Sequence, residues 1–123
     1  MTDELDGRTI FLVEDEYLVA VTTARMLKDR GAERVVTAHR LHEAIALAQS
    51  EEFDAAILDV NLAGERSEPV ADILETRGIP YLFATGYSRQ DLGLSEDMKL
   101  INKPYTPRKL TEELERVMKA KQE

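Results

Sequence analysis

Four short stretches of this sequence hold side chains suited to work on a charged oxygen-rich group: Glu14-Asp15-Glu16, Asp59-Val60-Asn61, Thr85-Gly86 and Lys103-Pro104. Two carboxylates such as Asp15 and Asp59, brought to about 4 Å, repel by roughly 4 kcal/mol at an effective dielectric of 20. Glu14 beside them adds to that repulsion. A hard divalent cation offsets it, and Mg²⁺ in particular favours a few carboxylates and open water positions. Lys103 supplies a fixed positive charge, Thr85 a hydroxyl donor, and Gly86 leaves room beside it. A cation, a lysine and a hydroxyl around one carboxylate make a receptor for the oxygens of a phosphoryl group. One carboxylate is then left as nucleophile.

Taken singly, each residue has a plainer reading. Asp15 or Asp59 alone could be a helix N-cap or a loop acid, Thr85 a strand-end threonine, and Asn61 a turn residue. Glu16 reads as the start of a helix, where the dipole favours it. His39 and His42 read as solvated residues at the start of the second helix. Glu112–Arg116 and Glu115–Lys119 read as solvated i,i+4 pairs.

The elements that must position the set follow from period counting. Thr9–Val13 is a short apolar β-branched run, a buried strand. Leu18, Val21, Ala24 and Leu27 recur at helical spacing between Glu16 and about Arg30, before Gly31. Arg34–Ala38 is a second strand, and Leu41, Ala44, Ile45, Leu47 and Ala48 mark a second helix. Phe53 to Leu58, ending at Asp59, is a third strand. Ser67 or Glu68 is placed to cap a third helix with Pro69 in its first turn and Gly78 after it. Ile79–Ala84 and Met98–Asn102 are the fourth and fifth strands. Thr106 caps a last helix that starts at Pro107, with Leu110, Leu114 and Val117 inward. Alternation of strands and helices implies a parallel sheet covered on both faces, with ligands beyond the C-terminal strand ends. Glu14, Asp59, Thr85 and Lys103 stand at four of those ends; strand two, ending near Ala38-His39, brings no obvious chemistry.

Between the fourth and fifth strands, residues 86–97 break the pattern. Leu92 and Leu94 are two apart and cannot share a helix face. The expectation is a loop, or a fourth helix of one or two turns, mobile relative to the rest.

Composition bounds the rest. A chain of 123 residues fits one domain, with residues 1–8 and 120–123 expected to fray. There is no cysteine, which excludes a disulfide framework, a zinc ribbon and a thiol nucleophile. Apolar runs are too short to span a membrane, the acidic N-terminus lacks a signal-peptide pattern, and a cytoplasmic location is the default. The net charge of −8 argues against a nucleic-acid surface and for simple solubility. The six glycines never form G-x-G-x-x-G or a P-loop.

Together and in order, Val13-Glu14-Asp15-Glu16, Leu58-Asp59-Val60-Asn61, Ala84-Thr85-Gly86 and Asn102-Lys103-Pro104-Tyr105 resemble the receiver domain of two-component response regulators. The resemblance runs from about Arg8 to Lys119. It implies a doubly wound, flavodoxin-like, five-stranded parallel sheet in the order 2-1-3-4-5. It implies that Asp59 accepts a phosphoryl group from a phosphohistidine of a sensor histidine kinase. It implies Mg²⁺ or another divalent cation held directly by Asp15 and Asp59, by Glu14 through water and by the Asn61 carbonyl. Thr85 and Lys103 would hold the phosphoryl oxygens. Phe83-Ala84-Thr85-Gly86-Tyr87 further resembles the FATGUY receivers, often paired with kinases of the HWE or HisKA2 type.

There are departures. Three residues before the lysine, where such domains carry a Tyr or Phe that swings inward, stands Leu100. Tyr87 could substitute, or gate water. Thr85 and Lys103 are only 18 residues apart, in line with a shortened fourth helix, so a monomer or weak dimer is expected. Nothing in this sequence follows the last helix, so the expectation is a stand-alone, non-enzymatic switch or phosphate sink acting through an unidentified downstream protein. Two other readings stay open: a binding module that is never phosphorylated, and a Mg²⁺-dependent phosphohydrolase with an aspartyl nucleophile. The latter is disfavoured by Asn61 where such enzymes place a second acid.

Overall fold

A computed structural model describes residues 4–93 and 98–122. In chain order the elements are β1 (Thr9–Val13), α1 (Tyr17–Asp29), β2 (Arg34–Ala38), α2 (Leu41–Ser50), β3 (Ala55–Asp59), β4 (Asn61–Leu62) and β5 (Glu65–Arg66). Then come α3 (Glu68–Arg77), β6 (Tyr81–Thr85), α4 (Arg89–Leu92), β7 (Leu100–Asn102) and α5 (Pro107–Gln122). Five strands form one parallel sheet in the order β2-β1-β3-β6-β7. This is the flavodoxin-like order expected from the sequence, with β6 and β7 as the fourth and fifth strands.

Alternation along the strands builds a core on each face of the sheet. Phe11, Val13, Leu58 and Phe83 pack with Ala44, Ala48, Val70 and Leu74, from α2 and α3. Ile10, Leu12, Ile57 and Leu82 pack with Ala20, Leu27, Leu110 and Leu114, from α1 and α5. The register pairs Val13 with Ala38 and Leu58, and Asp59 with Ala84. Because the pairing is parallel, all the strand ends that carry polar residues lie at one edge of the sheet.

Several boundaries differ from expectation for identifiable reasons. Phe53 lies outside β3: its ring stacks on Phe11 at 4.4 Å, and Asp54 turns to accept the Thr9 N–H at 2.7 Å. β6 begins after Pro80, which has no N–H to give to a ladder. Ser67 takes the N-cap position of α3, but its buried hydroxyl makes no capping bond and has no partner. Gly78 ends α3 with φ of 75°, a left-handed value that glycine adopts without strain. Thr106 caps α5 as expected, accepting the Lys109 N–H at 3.1 Å. Among the described residues, the ion pairs within α5 are Arg108–Glu112, Lys109–Glu113 and Arg116–Glu113, not those read from the sequence.

Residues 4–8 also depart from expected fraying. Leu5 is fully buried against the α1/α5 face, and its N–H donates to the Arg30 carbonyl at 3.1 Å. At the other end, α5 runs on through residue 122, and Lys121 pairs with Glu75 at 2.7 Å. The expected short fourth helix is the single turn α4; residues 94–97 of that stretch lie outside the described residues. An antiparallel ribbon of β4 and β5, which period counting did not reveal, begins two residues after Asp59.

Candidate functional site

The site stands at the C-terminal edge of β1, β3, β6 and β7. At the end of β1 the ladder's last rung is the Glu14 N–H to the Ala38 carbonyl, 3.0 Å. Beyond it the chain turns toward α1, and this turn exposes two successive acids to the same space. Glu14 is only 2% exposed, and Asp59, the last residue of β3, 8%. Lys103 follows β7, its peptide bond to Pro104 being cis, and its N–H donates to the Thr85 carbonyl at 2.8 Å. That backbone tie aims the side chain across the strand ends. Its ammonium reaches Glu14 Oε1 at 2.6 Å and Asp59 Oδ2 at 3.1 Å. The second Glu14 oxygen accepts the Glu16 N–H at 3.2 Å.

Asp15 is half-buried and comes at the cluster from the open side. Its Oδ2 accepts the Ala63 N–H at 3.0 Å. Ala63 and Gly64 form the two-residue turn of the β4/β5 ribbon, with φ of 52° and 91°. A left-handed alanine costs about 1 kcal/mol, and the charge-assisted bond from its N–H to Asp15 compensates. The ribbon therefore belongs to the site. Its two short strands bring a backbone donor over the acids and carry Arg66, whose guanidinium grips Glu68 at 2.9 and 3.1 Å and reaches the Leu92 carbonyl at 3.4 Å.

Oxygens of Glu14, Asp15 and Asp59 lie within 4.8 Å of one another. Three carboxylates against one ammonium leave two negative charges in excess. Burial pushes the Asp59 carboxyl up to about 7; the Lys103 ammonium pulls it down and the Glu14 carboxylate pushes it further up. Burial works against the charge of Lys103, but hydrogen bonds and attraction from Glu14 and Asp59 hold it above the usual lysine range. For Asp15 burial again works upward, but the Ala63 N–H keeps the carboxyl below its ordinary value. The set fits a hard divalent cation on two counts: every donor is a carboxylate oxygen, and the excess charge is that of one such ion.

The remaining sequence candidates take different places. Thr85 is buried at the end of β6, one residue beyond Ala84, which pairs with Asp59, and its Oγ1 accepts the Tyr87 N–H at 3.1 Å. Asn61 is exposed at the start of the ribbon. Tyr87 is 62% exposed, and its carbonyl accepts the Asn102 amide at 3.3 Å. Leu100 is half-buried and packs against the α2/α3 face of the core. Thus Glu14, Asp15, Asp59 and Lys103 come together, Thr85 stands next to them, and Tyr87 and Leu100 lie to the side.

Two residues were not recognised from the sequence. Ala63 gave no signal, because it acts through its backbone. His39 does not fit its reading as solvated: it is half-buried, its ring Nδ1 lies 2.9 Å from the Glu14 carbonyl, and its N–H donates to Glu43 Oε1 at 2.8 Å. The available signal was position, since His39 stands just past the end of β2, at the edge where the other site residues end or follow their strands.

Comparison with known proteins agrees with this geometry. A family model described as "Response regulator receiver domain" matches residues 10–115. The transcriptional regulatory protein PdtaR of Mycobacterium tuberculosis is 31% identical over 86 residues, which cover 69% of this chain and 42% of that protein. The phyllosphere-induced regulator PhyR of Methylorubrum extorquens is 31% identical over 103 residues, covering 80% of this chain and 39% of that protein. The chain thus spans about two-fifths of the length of these relatives. Among solved structures, the receiver domain of sensor histidine kinase PA1611 from Pseudomonas aeruginosa has the same fold, with a TM-score of 0.76 at 20% identity. The alignment covers 92% of this chain and 98% of that one, which holds a magnesium ion coordinated in its active site cleft.

Proposed function

The chain belongs to the response regulator receiver domain family, and we propose that Asp59 accepts a phosphoryl group from a phosphohistidine of a sensor histidine kinase. One observation carries this reading: a nearly buried Asp59 shares a lysine with Glu14, and its carboxylate lies within 4.8 Å of those of Glu14 and Asp15. An Asp59 oxygen attacks phosphorus, the P–N bond to the donor imidazole breaks, and the imidazole leaves with that electron pair and takes up a proton. The product is an acyl phosphate on Asp59.

The side chains divide the work. Asp15, Asp59 and the Asn61 carbonyl directly, and Glu14 through water, would hold Mg²⁺ or another divalent cation, which neutralises the phosphoryl oxygens when bound. Lys103, now shared by Glu14 and Asp59, turns to a phosphoryl oxygen, because the acyl phosphate brings more negative charge than the carboxylate it replaces. The Thr85 hydroxyl accepts a backbone bond from Tyr87, so its own proton is available to a second oxygen. A move of Thr85 toward the phosphoryl group therefore pulls on the 86–93 segment, and this is the conformational signal. Leu100 already packs on the core, so the read-out runs through that segment, with Tyr87 as its exposed aromatic, rather than through an inward swing at position 100.

The donor has an apolar place to seat. Tyr17, Leu18 and Val21 of α1 are exposed. A groove of about 480 Å³ between α1 and the loop after β7 is lined by Leu18, Met26, Lys103, Pro104 and Tyr105, among others. The Phe83-Ala84-Thr85-Gly86-Tyr87 string supports a kinase of the HWE or HisKA2 type as donor, and output passes to a protein partner. Asn61 leaves no general acid two residues after Asp59, which favours the switch over a phosphohydrolase.

The test is incubation with radiolabelled acetyl phosphate, with and without millimolar Mg²⁺. The expected result is stoichiometric, Mg²⁺-dependent label on the wild type and none on Asp59→Asn. Equal label on Asp59→Asn overturns the assignment.

A further inference from the structure

We propose that His39 is a positioning residue for the divalent-cation site, holding the peptide unit between Glu14 and Asp15 through its ring N–H. The inference rests on the proposed function, since it concerns the acids that would bind the cation.

The argument begins where the sheet stops. β1 and β2 pair in register as far as Val13 and Ala38, and the last rung is the Glu14 N–H on the Ala38 carbonyl. The next group on β1 is the Glu14 carbonyl. It belongs to the peptide that joins the two acids, and its orientation sets where both carboxylates start. A regular ladder would give that carbonyl a backbone N–H from β2, but the chain there turns into α2, whose N-cap is Arg40. The His39 ring takes the vacant place in the ladder, with Nδ1 2.9 Å from the Glu14 oxygen. A carbonyl only accepts, so Nδ1 carries the proton and the tautomer is fixed.

Histidine itself is held in place. Its backbone N–H is bound by Glu43 from the first turn of α2 at 2.8 Å. The Tyr17 ring lies 6.1 Å away, tilted 43°. A ring fixed at its backbone and bordered by an aromatic loses little entropy in making the bond. The contact spans 25 residues of sequence, so it joins β2 and α2 to the acidic turn rather than stabilising a local loop. Glu14 in turn presents its two oxygens to Lys103 and to the Glu16 N–H. A rotated Glu14 peptide would displace one acid from Lys103 and the other from Ala63. Outer groups that orient ligating side chains are worth about ten- to hundredfold in metal affinity. This one acts through backbone and lies at the low end.

Mg²⁺ affinity measured by calorimetry and by amide shifts in NMR spectra tests the idea on four proteins: wild type, His39→Ala, His39→Leu and His39→Asn. Asparagine places an amide N–H near the Nδ1 position, whereas leucine keeps bulk without a donor. The expected result is about tenfold weaker Mg²⁺ binding for Ala and Leu, recovery to within about twofold of wild type for Asn, and thermal midpoints of the metal-free proteins that do not follow this order. Wild-type affinity in Ala and Leu overturns the inference while leaving the proposed function intact. Equal weakening in all three variants also overturns it, because rescue depends on the donor. A wild-type protein that binds no Mg²⁺ at millimolar concentration overturns both.

Discussion

The Lys103 ammonium faces two carboxylates that are almost out of water, 2.6 Å from Glu14 and 3.1 Å from Asp59. Removing one partner from such a group costs far more than the pair contributes, because the remaining charges stay buried. Lys103→Ala therefore destabilises the metal-free protein at pH 7. The cost is about 2 kcal/mol, below the value for a fully buried pair because part of the lysine side chain meets solvent. Asp59, without the ammonium that now draws it down, holds its proton to higher pH, so the loss is smaller at pH 5 than at pH 8. Urea denaturation at the two pH values measures both effects, and a variant as stable as wild type at pH 8 would refute the argument. The residues of this cluster were legible in the sequence because each stands at or just beyond the end of an apolar strand, a position with few structural uses for a charge. No one of them was legible alone: Asp15, Asp59 and Lys103 had to be read together. His39 occupies the same kind of position, but a histidine has the same identity whether its ring meets water or a carbonyl, and only the three-dimensional path of β2 decides.

At the scale of elements, the β4/β5 ribbon ties the acidic turn to the segment after β6. Asp15 receives the Ala63 N–H, and Arg66, two residues past Gly64, grips Glu68 and the Leu92 carbonyl. The Leu92 carbonyl closes a helix of one turn, too short to hold itself. Arg66→Ala should release it: amide exchange at Leu92 and Gly93 rises about threefold, as expected for an exposed bond worth under 1 kcal/mol, while exchange in β1, β3 and β6 stays as it is. Unchanged exchange at both amides would show that the contact has no part in ordering α4. The long elements were legible because five or more residues are enough to display a period. The shortness of α4 was legible too, since Leu92 and Leu94 cannot share a face. A ribbon of two-residue strands displays no period, and its turn carries Ala63-Gly64 rather than the Asn-Gly or Asp-Gly that marks such hairpins. Leu5 was missed for a related reason: one apolar residue among acids reads as a tail, and only the Arg30 carbonyl and the α1/α5 face give it a place.

For the whole molecule, the net charge of −8 first reads as a solubility device, yet the structure concentrates part of it where repulsion is least screened. This leaves a signature in the pH dependence of stability. The Asp59 carboxyl is raised to about 7 in the metal-free fold, against about 3.9 in an unfolded chain. Between those values the native state holds a proton that the unfolded state has lost, so stability falls as pH rises. The contribution is complete below about pH 4 and gone above about pH 7. Asp15 and Glu75, both held below their usual values, act in the opposite sense, but their contributions are lost only as pH falls below the ordinary carboxylate range. The growing net charge affects wild type and Asp59→Asn alike and cancels in their difference. Thermal midpoints taken from pH 5 to 8 should therefore fall in wild type relative to Asp59→Asn. Millimolar Mg²⁺ should abolish the relative fall, because a bound cation replaces the proton as the counter-charge. Parallel curves without metal would mean that Asp59 titrates as an ordinary carboxylate and that the cluster carries no stored repulsion. A relative fall that persists in Mg²⁺ would mean that the cation does not reach Asp59, and the proposed role of Asp59 as a ligand would be lost with it.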